Sequence, residues 1–290
     1  MTRVAVQTTP VAHGYLEHDS LVLHYLKFDG TGRPIIFLHG VTGSAWDWHH
    51  VGRELGGRLT TGVPVALDFR GHGDSGWSSS GNYRSEDHAA DVCALIDHLD
   101  AGPVDLVGYS WGALVAVMVA ARRPEIVRSV VLADVEASFE QSETDVMPRP
   151  RQFASIAEAE AARAKENPHA PGDLIALTAR TGTRAASDGR IEPKHDPYFF
   201  DRWPFRADSY WDDLAALSQP TLLVHAKESF VRGEVMARMA QAVPNARFVD
   251  LPVTTHVVPV DNPTGILKLL TEFLAEPLSR VARDEDVVAG

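Results

Sequence analysis

The sequence predicts an α/β fold: a mostly parallel central sheet, helices on both faces and an inserted helical lid. Three observations carry that expectation. Short apolar runs alternate with helix-like segments, the signature of a sheet covered on both faces. The alternation breaks from about Ala137 to Asp212 and then resumes, which marks an insertion. Between one strand and one helix stands Gly108-Tyr109-Ser110-Trp111-Gly112, a G-x-S-x-G pentapeptide in the setting of a nucleophile elbow. The expected organisation is a core domain over 1–136 and 213–290 with a lid over 137–212.

Bulk properties narrow the function classes. With 290 residues, 44% of them hydrophobic, the chain is long enough to bury a substantial core. A net charge of −12 repels phosphate backbones and anionic lipid, so nucleic acid and membrane surfaces are disfavoured as partners. The expected partner is a small-molecule substrate, with a homodimer left open. Cys93 is the single cysteine; it lies in an apolar-periodic stretch and reads as core rather than reactive. Residues 1–10 lack an apolar signal core, and no apolar run reaches about 18 residues, the length of a membrane span. The expected localisation is cytoplasmic. His49-His50 is the only adjacent histidine pair and has no metal-ligand spacing beside it.

Taken in order, residues 1–10 read as a loose arm. Gly14–Glu17 and Leu21–Phe28 read as strands joined at His18-Asp19-Ser20, and Asp29-Gly30-Thr31-Gly32 as a turn. Pro34–Leu38 is a continuous apolar run, typical of a strand buried on both faces. It ends at His39-Gly40-Val41-Thr42-Gly43-Ser44, and a helix over about 45–55 follows, with Trp46 and Trp48 facing either pocket or core. Val63–Leu67 is the next strand and closes at Asp68-Phe69-Arg70-Gly71-His72-Gly73-Asp74-Ser75. A helix over 85–99 places Ala89, Val92, Leu95, Ile96 and Leu99 on one face. The elbow strand Val104–Val107 and its apolar helix come next, then a strand over Val127–Ala133 ending at Asp134-Val135-Glu136.

Within 137–212 the pattern reads as short helices, one of them over Ile156–Glu166. The aromatics Tyr198, Phe199, Phe200, Trp203, Phe205, Tyr210 and Trp211 are suited both to packing the lid on the core and to roofing a pocket. Alternation resumes with a strand over 221–225, a helix over 233–242, a strand over 246–251, the loop Val253-Thr254-Thr255-His256 and a helix over 263–274. The tail 282–290 is acidic and reads as frayed.

In the elbow, the serine sits at the tip of a sharp turn, and its outer glycines let neighbouring backbone pass closely. The helix N-terminus behind it offers N–H groups and a positive dipole end to an oxyanion.

From about Gly14 to Leu278 the chain resembles the α/β-hydrolase fold superfamily, the lid only weakly. The likeness rests on His39-Gly40, Asp68-x-Arg70-Gly71-x-Gly73-x-Ser75, Gly108-x-Ser110-x-Gly112 and a late His256, in that order. The resemblance implies Ser110 as nucleophile, His256 as base, and an oxyanion hole from the backbone N–H groups of Val41 and Trp111. It implies structural roles for His39 and for Asp68, Arg70, Gly71 and Gly73. Trp111's indole is a further candidate to line the pocket, and Asp74 reads as a turn residue.

The acid departs from the common pattern. Most of the superfamily places it after the strand at 221–225, in Gly-x-x-Asp. Here that stretch reads Ala226-Lys227-Glu228-Ser229-Phe230, without an aspartate. A minority, including haloalkane dehalogenases and some lactonases, place it after the strand following the elbow helix, which is Asp134 here. Asp134 is therefore preferred, with Glu228 as the alternative and Glu136 third.

The expected function is hydrolysis of a carboxylic ester or lactone of a bulky apolar or aromatic molecule through an acyl-serine, with no metal or organic cofactor. The alternatives are C–C, amide or thioester cleavage on the same triad, or a non-catalytic binding protein.

Overall fold

The structure is a computed structural model that describes residues 11–275. The arm expected at 1–10 and the tail expected at 282–290 lie outside the described residues. Ten strands and nine α-helices are found among those described: β1 Ala12–His18, β2 Leu21–Lys27, β3 Pro34–Leu38, β4 Val63–Leu67, β5 Val104–Tyr109, β6 Val127–Ala133, β7 Thr183–Ala185, β8 Ile191–Pro193, β9 Thr221–Ala226 and β10 Ala246–Leu251. The helices are α1 His49–Gly56, α2 Ser85–Leu99, α3 Trp111–Arg122, α4 Ile156–Glu166, α5 Gly172–Thr181, α6 Trp211–Ala215, α7 Gly233–Ala242, α8 Val258–Asp261 and α9 Pro263–Ala275.

Eight strands form one sheet in the order β1-β2-β4-β3-β5-β6-β9-β10. The pairs from β4 to β10 are parallel; β2 runs antiparallel to both β1 and β4. The β1–β2 hairpin turns on Asp19 and Ser20, both at positive φ, as a two-residue hairpin loop of primed type requires. Strands β3, β5 and β9 are buried along their whole length because helices cover both faces. One face packs under α2, α3, α7 and part of the insertion. The other packs under α1 and α9. No helix among the described residues is long and apolar enough to cross a membrane.

The strand order makes a switch point. From β3 the chain steps one way to β4, and the later strands build the other way from β5. The carboxyl ends of β3 and β5 therefore open a crevice between diverging connections, the usual ligand position in open parallel sheets. His39-Gly40 leaves one end and Ser110 the other.

One expectation needs correction, and one open alternative is resolved. The insertion between β6 and β9 is not only short helices: β7 and β8 pair as an antiparallel hairpin. These three-residue strands carry no apolar alternation, so no periodic signal marks them. Helix α5 also went unassigned, whereas α4 matches the expected 156–166 span. Trp46 and Trp48 both turn to the core rather than the pocket. Trp48 is fully buried 4.8 Å from the Phe37 ring, and Trp46 stacks on His49 at 5.3 Å.

Candidate active site

Ser110 sits between the end of β5 and the start of α3 with φ 53° and ψ −128°. That region of backbone space costs a non-glycine residue roughly 1–3 kcal/mol and persists only where the surroundings enforce it. Here they do. Ser110 N–H donates to Ala133 O at 2.9 Å, and Ser110 O accepts from Ala113 N–H at 3.0 Å. A Cβ on Gly108 would meet Gly112 O at 2.3 Å, and one on Gly112 would meet Leu38 O at 2.4 Å. Both outer glycines are thus required by close backbone approach. The hydroxyl is held up at the mouth of the crevice.

His256 lies across from it, in the loop after β10. Its Nε2 is 2.9 Å from Ser110 Oγ, and its Nδ1 is 2.7 Å from Asp134 Oδ2. The loop is tied down on both sides: Thr255 N–H donates to Asp261 Oδ2 at 2.7 Å, and Thr254 O accepts from Glu228 N–H at 2.9 Å. With Nδ1–H donated to a carboxylate, Nε2 carries the lone pair that can accept the serine proton.

Asp134 follows β6 at positive φ and is fully buried. Its Oδ1 accepts from Ala226 N–H at 3.0 Å, and its Oδ2 accepts from the Ser229 hydroxyl as well as from His256. A buried carboxylate is tolerable only when hydrogen-bonded in this way. Ser229, standing where the common pattern expects an acid, supports Asp134 instead. Glu228 is half exposed and pairs with His169 Nε2 at 2.8 Å. Both nitrogens of His256 are occupied by other groups. Glu136 is held by Arg232 at 2.7 Å, and His225 bonds Asp250 and Val231 O.

Val41 and Trp111 are the residues expected to supply the oxyanion N–H groups. Trp111 is the first residue of α3, so its N–H has no acceptor within the helix. Val41 lines the pocket in the loop after β3, beyond His39-Gly40. Its loop is braced by His39, whose Nδ1–H donates to Gly40 O at 2.7 Å while Nε2 accepts from Phe69 N–H at 3.0 Å. Burial lowers the pKa of this imidazole, which keeps it neutral and able to do both. Asp47 braces the far end: it accepts from Tyr109 Oη–H at 2.7 Å, from Ser44 N–H at 3.3 Å, and from Arg163 of the insertion. Burial first, and then the Asp47 charge, push the Tyr109 phenol well above its usual range, so it remains a donor.

Trp111's indole does not line the pocket. It is fully buried, donates to Ser85 Oγ at 3.0 Å and packs on His88 at 4.2 Å. Of the insertion's aromatics, Phe199 and Tyr210 pack onto the core, whereas Trp203 and Phe205 reach the pocket wall.

Asp68, Arg70 and their neighbours are structural. Asp68 accepts from His24 Nδ1, Ala45 N–H and Asp74 N–H, and Arg70 forks onto both oxygens of Asp91 at 2.7 Å. His24, Asp68 and Asp74 come within 4.8 Å of one another, a spacing open to a cation. Asp68's oxygens are already committed, however, and the Asp74 carboxylate pairs with Lys194 at 2.6 Å.

The pocket over Ser110 encloses about 630 Å³, open solvent at its mouth included. Phe139, Met147, Trp203, Phe205 and Phe230 supply apolar walls, and the Phe230 ring lies 4.4 Å from that of His256. Three arginines from the insertion, Arg149, Arg163 and Arg206, also line it. Sequence reasoning missed all three, along with Asp47, Tyr109 and Ser229. An arginine in a polar stretch carries no signal that separates a pocket from a solvated surface.

Comparison with known proteins adds the family. The model described as "alpha/beta hydrolase fold" matches residues 33–263. A 2-(acetamidomethylene)succinate hydrolase of Mesorhizobium japonicum is 30% identical over 256 residues, 84% of this chain and 89% of that protein. An esterase of Mycobacterium tuberculosis is 28% identical over 262 residues, covering 86% of this chain and 85% of its own. Among solved structures, the thioesterase domain from the curacin biosynthetic pathway superposes with a TM-score of 0.79 at 22% identity, over 90% of this chain and 99% of that one, a likeness of fold.

Proposed function

The chain belongs to the alpha/beta hydrolase fold family, and we propose that within it the protein is a serine hydrolase that cleaves a carboxylic ester or lactone. The observation that carries this reading is the unbroken relay Ser110 Oγ–His256 Nε2 at 2.9 Å and His256 Nδ1–Asp134 Oδ2 at 2.7 Å. His256 takes the serine proton as Oγ attacks the carbonyl carbon. The oxyanion is held by the N–H groups of Val41 and Trp111. The imidazolium, steadied by Asp134, returns the proton to the leaving oxygen. Water then repeats the sequence on the acyl-serine and releases the acid. Insertion 137–212 acts as a lid, and its Trp203 and Phe205, with Phe139 and Phe230, suit a substrate with a bulky apolar or aromatic body.

Amide cleavage is the second reading. It is favoured by relatives named as a 2-(acetamidomethylene)succinate hydrolase and an N-formylmaleamate deformylase. A panel of aryl esters, lactones and matched anilides, run on the wild type and on Ser110→Ala, separates the two. The ester reading expects turnover of esters or lactones that Ser110→Ala abolishes. Faster turnover of the anilides moves the assignment to amides, and ester turnover that survives Ser110→Ala removes the acyl-serine mechanism.

A further inference from the structure

The three pocket arginines differ in how their charge is balanced. Arg163 is neutralised by Asp47 behind the pocket wall. Arg149 faces Glu166 at 3.3 Å. Arg206 forms no salt bridge among the described residues. It donates through Nη1 to the backbone oxygen of Asp145, and its guanidinium lies 4.5 Å from the centre of the Trp203 ring. The pocket's carboxylates do not compensate it: Glu136 is taken by Arg232, Glu166 by Arg149, and Asp134 by His256. Arg206 therefore faces the cavity without an ion-pair partner, its charge offset only by the more distant Asp145 carboxylate.

The hydrogen-bond inventory points the same way. The Nε–H groups of Arg149, Arg163 and Arg206 are all buried with no partner. Such a donor is destabilising unless something accepts from it. All three belong to side chains that line one cavity.

We infer that Arg206, assisted by Arg149, binds a carboxylate carried by the substrate at a distance from its scissile carbonyl. A single guanidinium without an ion-pair partner matches a monoanion better than a phosphate dianion, and its fork fits a carboxylate edge. The preferred substrate is thus an acyl compound with an apolar body and one carboxylate. This rests on the serine-hydrolase reading above.

Two matched pairs test it. On the acyl side, mono-4-nitrophenyl glutarate is compared with 4-nitrophenyl valerate; on the alcohol side, 4-acetoxybenzoate is compared with 4-acetoxybenzamide. In at least one pair the carboxylate member is expected to show a kcat/KM about tenfold or more above its neutral mate. In Arg206→Gln that ratio is expected to fall to about one, with Arg206→Lys in between. Labelling of Ser110 by a neutral alkyl fluorophosphonate reports whether each variant keeps its site intact. No preference in either wild-type pair, or a preference that survives Arg206→Gln, overturns the inference. If Ser110 labels and the neutral esters turn over while no preference appears, only this inference falls. If Ser110 neither labels nor turns over any ester, the hydrolase reading falls with it.

Discussion

Asp134 and His256 stand 122 residues apart, yet Asp134 Oδ2 lies 2.7 Å from His256 Nδ1. The carboxylate comes from the end of β6, not from the end of β9 where most relatives of this fold keep it. Its remaining capacity is filled by Ala226 N–H and the Ser229 hydroxyl, both at the end of β9. The β9 end thus supports a carboxylate on the neighbouring strand.

Asp134→Asn keeps the shape but favours the wrong histidine tautomer. The expected loss in kcat is about ten-thousand-fold. Glu228→Gln disturbs only a half-exposed pair with His169, so turnover is expected to stay within about fivefold of wild type. Steady-state kinetics on a common aryl ester checks both. A larger loss for Glu228→Gln than for Asp134→Asn would move the acid to Glu228.

Ser229→Ala removes one of the donors that hold the Asp134 carboxylate. Ala226 N–H and His256 remain, so kcat is expected to fall by about two- to tenfold, the worth of one hydrogen bond. Thermal unfolding measured alongside separates this from loss of fold. A ten-thousand-fold effect would mean that Ser229 does more than position the acid.

Arg163 and Asp47 tie the insertion to the loop that carries Val41, the proposed oxyanion donor. Arg163→Met strands a buried carboxylate and is expected to destabilise by about 3 kcal/mol or more. Adding Asp47→Asn removes the stranded charge and is expected to recover most of that stability. Urea unfolding of the two single variants and the double variant completes the cycle. Additive losses would show that the pair is not coupled.

Behind the oxyanion loop, burial lowers the pKa of His39 and His72, and brings His88 to about 3 and His195 to about 4. All four stay neutral in the folded protein, whereas in the unfolded chain they take up protons below about pH 6.5. Their contribution to stability is therefore complete above about pH 6.5. It is lost as pH falls towards the folded values, by roughly 1 kcal/mol per pH unit for His88 and for His195. Urea midpoints between pH 7.5 and 5 are expected to drop, and His88→Gln to flatten that slope. An unchanged slope in His88→Gln would show that the imidazole is not held neutral.

Much of the fold was legible because strands buried on both faces read as continuous apolar runs, as in Pro34–Leu38 and Thr221–His225. The elbow was legible from its glycines, whose spacing reflects the close passage of Leu38 O and of residue 112. Asp134 was reachable because residues 226–230 lack an aspartate. The Asp47–Tyr109–Arg163 contacts were not legible: they join residues 62 and 116 apart in sequence, and nothing local distinguishes a bracing aspartate from a cap. The pocket arginines were hidden for the same reason, since only the folded insertion shows which charges lack a partner. The β7–β8 hairpin was too short to leave a period.

The central claim is that Ser110 is a nucleophile activated by His256. Its most direct measurement is intact-mass and peptide mapping after treatment with an alkyl fluorophosphonate. One adduct per chain is expected, located on Ser110, with the rate of labelling falling by about a thousandfold or more in His256→Ala. No adduct on Ser110, or labelling that proceeds unchanged without His256, would contradict the account.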